Sequence, residues 1–230
     1  MPSKLSKKEL NDIIQWDVKT WSKALDFWEK YITLKPGMSV LTIGEREGGL
    51  SLWLAQKGLE VTCTDYKEFP DTTASMHNEY GVSANIKCES GVDVTDLSRY
   101  SDEQFDVVVF KSVIGALSEK ERQQQAINEI RRVLKPGGSL LFAENLIGTR
   151  LHVALRKRFI RWNTYWRYLH VKKDMDLFEG FSKKFFETKG FAANFGRSEA
   201  QRRFLATIDG VVVWLLPKSW RYVLFGVLIK

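Results

Sequence analysis

Apolar residues recur along this chain in two rhythms. Leu10, Ile14, Val18, Trp21, Leu25, Trp28 and Ile32 fall at three- and four-residue intervals, which predicts one amphipathic helix over 10–32. Lys35-Pro36-Gly37 ends it, and the compact apolar run 39–43 predicts a strand. Short apolar runs then alternate with helical spacing. Strands are predicted over 59–64, 85–89, 105–110 and 139–143, and helices over 50–56, around Met76 and Tyr80, and over 119–134. Gly58, Gly81 and Lys135-Pro136-Gly137-Gly138 close those helices, and 93–101 is polar and loop-like. The final third predicts a helix over 176–188, a sixth strand over 191–195, a helix over 198–209 and a strand over 220–229. This alternation predicts an α/β domain with a doubly wound, mostly parallel sheet, helices on both faces and an antiparallel last strand. The whole of 1–230 reads as one domain, with a helical cap over 1–35 and a helical insertion over 145–175 after strand 5.

Composition narrows the class. Hydrophobic residues are 44% and charged residues 27%, an ordinary globular balance. Cys63 and Cys88 form no CxxC or Cys/His cluster, so they are expected as small core residues and no metal is expected. The lysine-bearing start lacks an apolar signal region, and no stretch of eighteen apolar residues occurs. A cytoplasmic protein is therefore expected.

Net charge is +7, and its location matters more than its size. The insertion holds eight Lys or Arg against the single acid Asp174, so it alone accounts for the excess. Leu151, Leu155, Phe159, Trp162, Trp166 and Leu169 fall on one helical face there, with most basic residues opposite. Three readings stay open: an aromatic lid over a site, a helix lying on the inner face of a membrane, or an anion-binding lid for an acidic or phosphorylated acceptor.

The chemistry concentrates in Val40-Leu-Thr-Ile-Gly44-Glu45-Arg46-Glu47-Gly48-Gly49. A strand ends in glycines and a helix starts, which permits a tight turn and close approach of a ligand to the backbone. Asp65 follows about twenty residues on, where dinucleotide folds place an acid against ribose hydroxyls. The order of pieces resembles the class I S-adenosylmethionine (SAM) dependent methyltransferases. Residues 40–51 resemble that family's first motif and 61–65 its second strand and acid, while Asp93-Val94 stands at its adenine loop. Gln104-Phe105-Asp106-Val107-Val108 resembles its fourth strand, and Ile130 to Leu140 the Leu-Lys-Pro-Gly-Gly turn before its fifth. The resemblance implies a Rossmann-like seven-stranded sheet, with SAM as cofactor and S-adenosylhomocysteine as product. It implies that Gly44, Glu45, Arg46, Gly48, Asp65, Tyr66, Asp93, Val94 and Lys111 line the cofactor. Two positions depart from the family: Thr42 replaces its usual acid, for which Glu45 or Glu47 substitutes, and Arg46 replaces a glycine.

A weaker likeness, in Phe142 to Gly148 and Phe195 to Glu199, is to bacterial methyltransferases linked to surface polysaccharide synthesis. It implies O-methylation of a saccharide or saccharide-linked acceptor. A hydroxyl acceptor gains from a general base, and the catalytic candidates are Lys111, Glu144 and His152. Nucleic-acid methylation is an alternative, disfavoured because Lys111-Ser112-Val113-Ile114 replaces the Asn/Asp-Pro-Pro-Tyr/Phe motif of amino-methylating enzymes. A binding or scaffold protein without turnover is the third.

Overall fold

The computed structural model describes residues 5–159 and 165–230. Arg161 and Trp162 of the insertion therefore lie outside the described residues, as does the Phe159 side chain.

The N-terminal segment is three helices rather than one: α1 (Lys7–Ile14), α2 (Val18–Trp21) and α3 (Lys23–Tyr31). Ser6 starts α1 with a capping box, its hydroxyl accepting from Glu9 N and the Glu9 carboxylate from Ser6 N. The break falls at Gln15 (φ 72°) and Asp17 (φ 46°), non-glycine residues in left-handed backbone. Other contacts hold it there. Asp17 N and Val18 N donate to the Glu199 carboxylate at 2.9 Å each, and the buried Asp17 accepts from the Tyr222 hydroxyl. Trp21 and Trp28 are buried in the core beneath.

Then follow β1 (Ser39–Ile43), α4 (Gly49–Ala55), β2 (Glu60–Thr64), α5 (Asp71–Glu79), β3 (Ile86–Glu89), β4 (Phe105–Lys111), α6 (Lys120–Val133) and β5 (Leu134–Asn145). These match the predicted order, with β5 extending back through the Lys-Pro-Gly-Gly turn. Beyond lie α7 (Arg150–Phe159), β6 (Lys183–Lys189), α8 (Glu199–Val212) and β7 (Val223–Ile229). One seven-stranded sheet results, in the order β3-β2-β1-β4-β5-β7-β6. It is parallel except that β7 runs antiparallel to both β5 and β6.

Each face of the sheet carries its own core. Val40, Val107, Val109 and Leu141 pack towards α1–α4, while Leu41, Val108, Phe110 and Leu140 pack towards α6. Adjacent residues on one strand supply opposite cores, as the period of two requires.

Two expectations in the final third fail. Residues 176–188 are not a helix: a 3₁₀ turn at Met175–Phe178 leads into β6. Residues 191–195 are not a strand but a loop with a 3₁₀ turn at Ala193–Phe195. Phe185 stacks on Tyr31 on one face, and Phe186 meets Phe142 and Phe178 on the other. Burying adjacent aromatics in two cores suits a strand, and pairing with β7 overrides the local spacing. The cysteines also divide: Cys63 is buried, but Cys88 is exposed because β3 is an edge strand. Among the described residues no helix is long and apolar enough to cross a membrane, and no group of three or more His, Cys, Asp or Glu could hold a metal ion.

Candidate functional site

The carboxyl ends of β1, β2, β4 and β5 open into a cavity of about 1280 Å³. Ligands of open α/β sheets bind at this edge, where the chain order reverses between β1 and β4.

One end is built by backbone. Gly44 stands at φ +65°, and a Cβ there would meet Val113 Cγ2 at 2.5 Å, so neither the turn nor the space admits a side chain. Gly48 (φ +76°) lies under the buried His77, whose Nε2 is 3.0 Å from Gly48 O. Arg46 sits in left-handed backbone at φ 55° with an exposed side chain. Its N–H donates to Asp65 Oδ2 at 2.8 Å, and Lys67 N donates to Asp65 Oδ1 at 2.8 Å. Asp65 is thus aimed by main chain, with lone pairs left on both oxygens. The contact to Asp65 comes from the Arg46 backbone alone, while its exposed side chain belongs to the cavity lining and its charge bears on Lys111. Tyr66, 69% exposed, forms the rim, and Val92, Asp93 and Val94 form an adjoining wall. Asp93 closes its own turn by accepting from Thr95 N and Oγ1, and it pairs with Arg122 at 3.6 Å.

Thr42 does not reach the cavity; its hydroxyl pairs with Ser51 Oγ at 2.7 Å inside the core. Glu45 is the buried acid of this loop and lines the cavity, whereas Glu47 is exposed. Glu45 accepts from Ser51 N at 2.8 Å, and burial pushes its carboxyl up to about 7. Lys111 lies in the middle of the cavity wall, over the Trp21 ring and donating to Ile14 O at 3.1 Å. Burial lowers its ammonium to about 8, while Glu45 pulls it back up.

The other end is built by side chains from outside the sheet. Trp16, Tyr165, Trp166, Tyr168 and Phe195 give it aromatic walls. The strap 165–169 is fixed by Arg167 N to Gly115 O (2.8 Å) and by Leu169 N to Asn145 O (3.1 Å). Trp166 packs so closely on Gly115 that a Cβ there would stand 2.0 Å from its Nε1. Ser112 (φ 58°) and Asn145, joined by Asn145 Nδ2 to Ser112 Oγ at 2.6 Å, form the floor between the two ends.

Two catalytic candidates are placed elsewhere. His152 is fully buried and does not line the cavity. Its Nδ1 accepts from Thr149 N (3.1 Å), its Nε2 lies 2.9 Å from Phe191 O, and its ring stacks on Phe195. Both nitrogens are committed: Nδ1 closes the start of α7 and Nε2 ties α7 to the 191–195 loop. Glu144 is also buried off the cavity and accepts from Val113 N (2.8 Å), Gly115 N (3.4 Å) and Asn145 N (2.7 Å). Burial pushes it up to about 7, and those donors favour its anion. It organises the loop after β4. The insertion also turns differently from its predicted face: Leu151 is 53% exposed, while His152 and Arg156 are buried. Sequence reasoning missed Ser112, Asn145, Phe195 and Arg202. Ser112 stands immediately after β4 and Asn145 ends β5, the positions where ligands of this architecture lie; the others carry no local signal.

Residues 41–142 match a family model described as a methyltransferase domain. Curated relatives include ubiquinone biosynthesis O-methyltransferases of Pseudomonas syringae pv. tomato, 33% identical over 46% of this chain and 44% of that protein, and of Hahella chejuensis, 32% identical over 52% and 48%. The match spans less than half the length of these relatives. Phosphoethanolamine N-methyltransferase 2 of Haemonchus contortus, solved with SAM, is similar at a TM-score of 0.65 and 16% identity, covering 91% of this chain and 52% of that one. The YcgJ protein of Bacillus subtilis gives 0.62 and 17%, covering 91% and 98%. The [4+2]-cyclase SpnF gives 0.61 and 19%, covering 90% and 80%. The chain shares the Rossmann-like fold of these proteins. No relative named here carries a polysaccharide function.

Proposed function

We propose that this chain is a SAM-dependent methyltransferase that methylates oxygen on a small ring-bearing acceptor. The observation that carries the reading is Asp65, held by two backbone N–H groups at the carboxyl end of β2 beside a glycine turn that admits no side chain. Both of its oxygens keep acceptor capacity, which fits the vicinal hydroxyls of a ribose. Val92 and Val94 offer an apolar wall to a base, and Glu45 with Lys111 offers opposite charges to an amino-acid zwitterion. The residues present therefore fit the nucleoside and amino-acid parts of SAM. When bound, SAM supplies a methyl group on a positively charged sulfur with a good leaving group.

The remaining work falls to this chain's residues, which align the acceptor and keep water out. The aromatic walls flank a planar or ring-shaped acceptor. Neither His152 nor Glu144 lines that end, and no His, Asp or Glu does so among its described residues. Of the three catalytic candidates only Lys111, whose ammonium burial lowers to about 8, lines the cavity, and so weak a base favours an acceptor hydroxyl that is itself acidic. A phenol, ionising near pH 10 as Tyr does, meets that need better than a sugar hydroxyl. The O-methyltransferase names of the curated relatives support oxygen as the methylated atom. The nucleic-acid alternative loses ground because Arg156, Trp166 and Tyr168 of the insertion line the cavity.

Calorimetric titration with SAM and S-adenosylhomocysteine tests the cofactor reading. Binding in the micromolar range is expected. Asp65→Ala should weaken it about 100-fold, since hydrogen bonds to a charged group contribute roughly 1.5–3 kcal/mol each. Folded wild-type protein that binds neither ligand would sink the reading.

A further inference from the structure

Among the described residues, Arg156 is a buried cation without a counter-ion. It is 3% exposed and lines the cavity. Its Nη1 donates to the carbonyls of Leu146 (2.9 Å) and Ile147 (3.0 Å), and its guanidinium lies 4.1 Å over the Tyr168 ring. These contacts place the group but do not neutralise it. Among the described residues Nη2 has no partner and no carboxylate forms an ion pair with Arg156. A buried, unpaired charge and an orphaned donor are each costly, and together they are rare unless a ligand completes them.

The distribution of charge around the cavity points the same way. Its acids (Glu45, Glu47, Asp65 and Asp93) all belong to the loops after β1, β2 and β3. The aromatic end carries Arg156, Arg197 and Arg202 and no acid among its described residues. Arg202 is engaged with the Trp16 ring and Glu199. Trp166 Nε1 also lacks a partner among the described residues, but it is packed against Gly115. An uncompensated guanidinium in an aromatic enclosure calls for an acceptor-bearing, negatively charged ligand.

We propose that the methyl acceptor carries an anionic oxygen group, a carboxylate or a phosphate, and that the Arg156 guanidinium, beside the Tyr168 ring, supplies its counter-charge. This rests on the methyltransferase reading and names the substrate class for the same cavity. Arg156 acts as a specificity residue; it selects acidic ring compounds over neutral ones of equal shape, because only the former supply the missing counter-charge.

The test uses three probes of one shape: 3-hydroxybenzoate, 3-hydroxyphenyl phosphate and neutral 3-methylphenol. Each is titrated into wild-type protein saturated with S-adenosylhomocysteine. At least one anion should bind tenfold or more tighter than 3-methylphenol, and which one does so names the carboxylate or the phosphate. Arg156→Met should abolish that preference and leave the S-adenosylhomocysteine affinity within threefold. Arg156→Lys, which keeps the charge without the planar fork, should retain part of it; it also serves if Arg156→Met does not fold. The proposal is overturned if the wild type prefers no anion, including the case where no probe binds, or if the preference survives in Arg156→Met. It is overturned too if the folded variant loses S-adenosylhomocysteine, which would assign Arg156 to the cofactor. Failure of the wild type to bind S-adenosylhomocysteine at all would instead break the cofactor reading.

Discussion

The two ends of the cavity hold their functional groups by different means. At the end proposed for the cofactor, Asp65 is fixed by N–H groups from residues 46 and 67, and Glu45 by the N–H of Ser51. At the acceptor end, Trp166 is fixed by packing on Gly115, and the Phe195 loop by the Asp209 carboxylate, which accepts from the N–H groups of residues 191–193. The first scheme tolerates side-chain change, because the main chain carries the geometry. The second does not, because removing or enlarging one side chain moves a wall. Conserving a donor site while varying the acceptor is what this division permits.

The contrast can be broken most forcefully at Gly115. A methyl group there collides with Trp166, and overpacking of this kind costs about 1–3 kcal/mol. Gly115→Ala should lower turnover at a fixed acceptor concentration about tenfold or more, with cofactor affinity within threefold by calorimetry. Equal loss at both ends would erase the distinction. A smaller effect is expected at Lys111, between the ends. Its ammonium is held near 8 by burial, so it is charged below that pH and neutral above it. If it meets the carboxylate of the cofactor, S-adenosylhomocysteine should bind about tenfold more weakly at pH 9 than at pH 7, beyond the change seen in Lys111→Met. Superimposable profiles for the two proteins would remove Lys111 from the cofactor site. The smallest effect is expected at Arg46. Arg46→Gly restores the family's usual residue, keeps the N–H that holds Asp65 and relieves the left-handed backbone, at the cost of a more flexible unfolded chain. Cofactor affinity should stay within threefold, and the melting temperature should move by no more than about 3 °C, as for a change under 1 kcal/mol.

The same division governs what could be read from the sequence. The geometry of the proposed cofactor end was legible because it is local: a strand, a glycine turn and an acid some twenty residues on lie in one βαβ unit. The five strands from β1 to β5 were legible for the same reason. The acceptor end joins residues 16, 112, 145, 156, 166 and 195, which only the tertiary fold brings together. His152 looked catalytic because a lone histidine in a basic insertion carries no sign of the Thr149 and Phe191 atoms that occupy its ring nitrogens. The helix expected over 176–188 failed because its aromatic spacing is ambiguous until β7 supplies a pairing edge. The break at Gln15 and Asp17 was invisible because neither residue type signals left-handed backbone as glycine does.

The place of β7 also constrains the order of assembly. Strands β1 to β5 can pair as soon as residues up to 145 have been synthesised, but β6 has no neighbour in the sheet other than β7. Residues 183–189 must wait for residues 223–229, leaving the β5 edge and an aromatic pair, Phe185 and Phe186, exposed meanwhile. Nascent chains stalled between these two segments should bind chaperones and resist proteolysis only up to β5. A single late hairpin-like closure of β6 onto β7 then seals both cores at once.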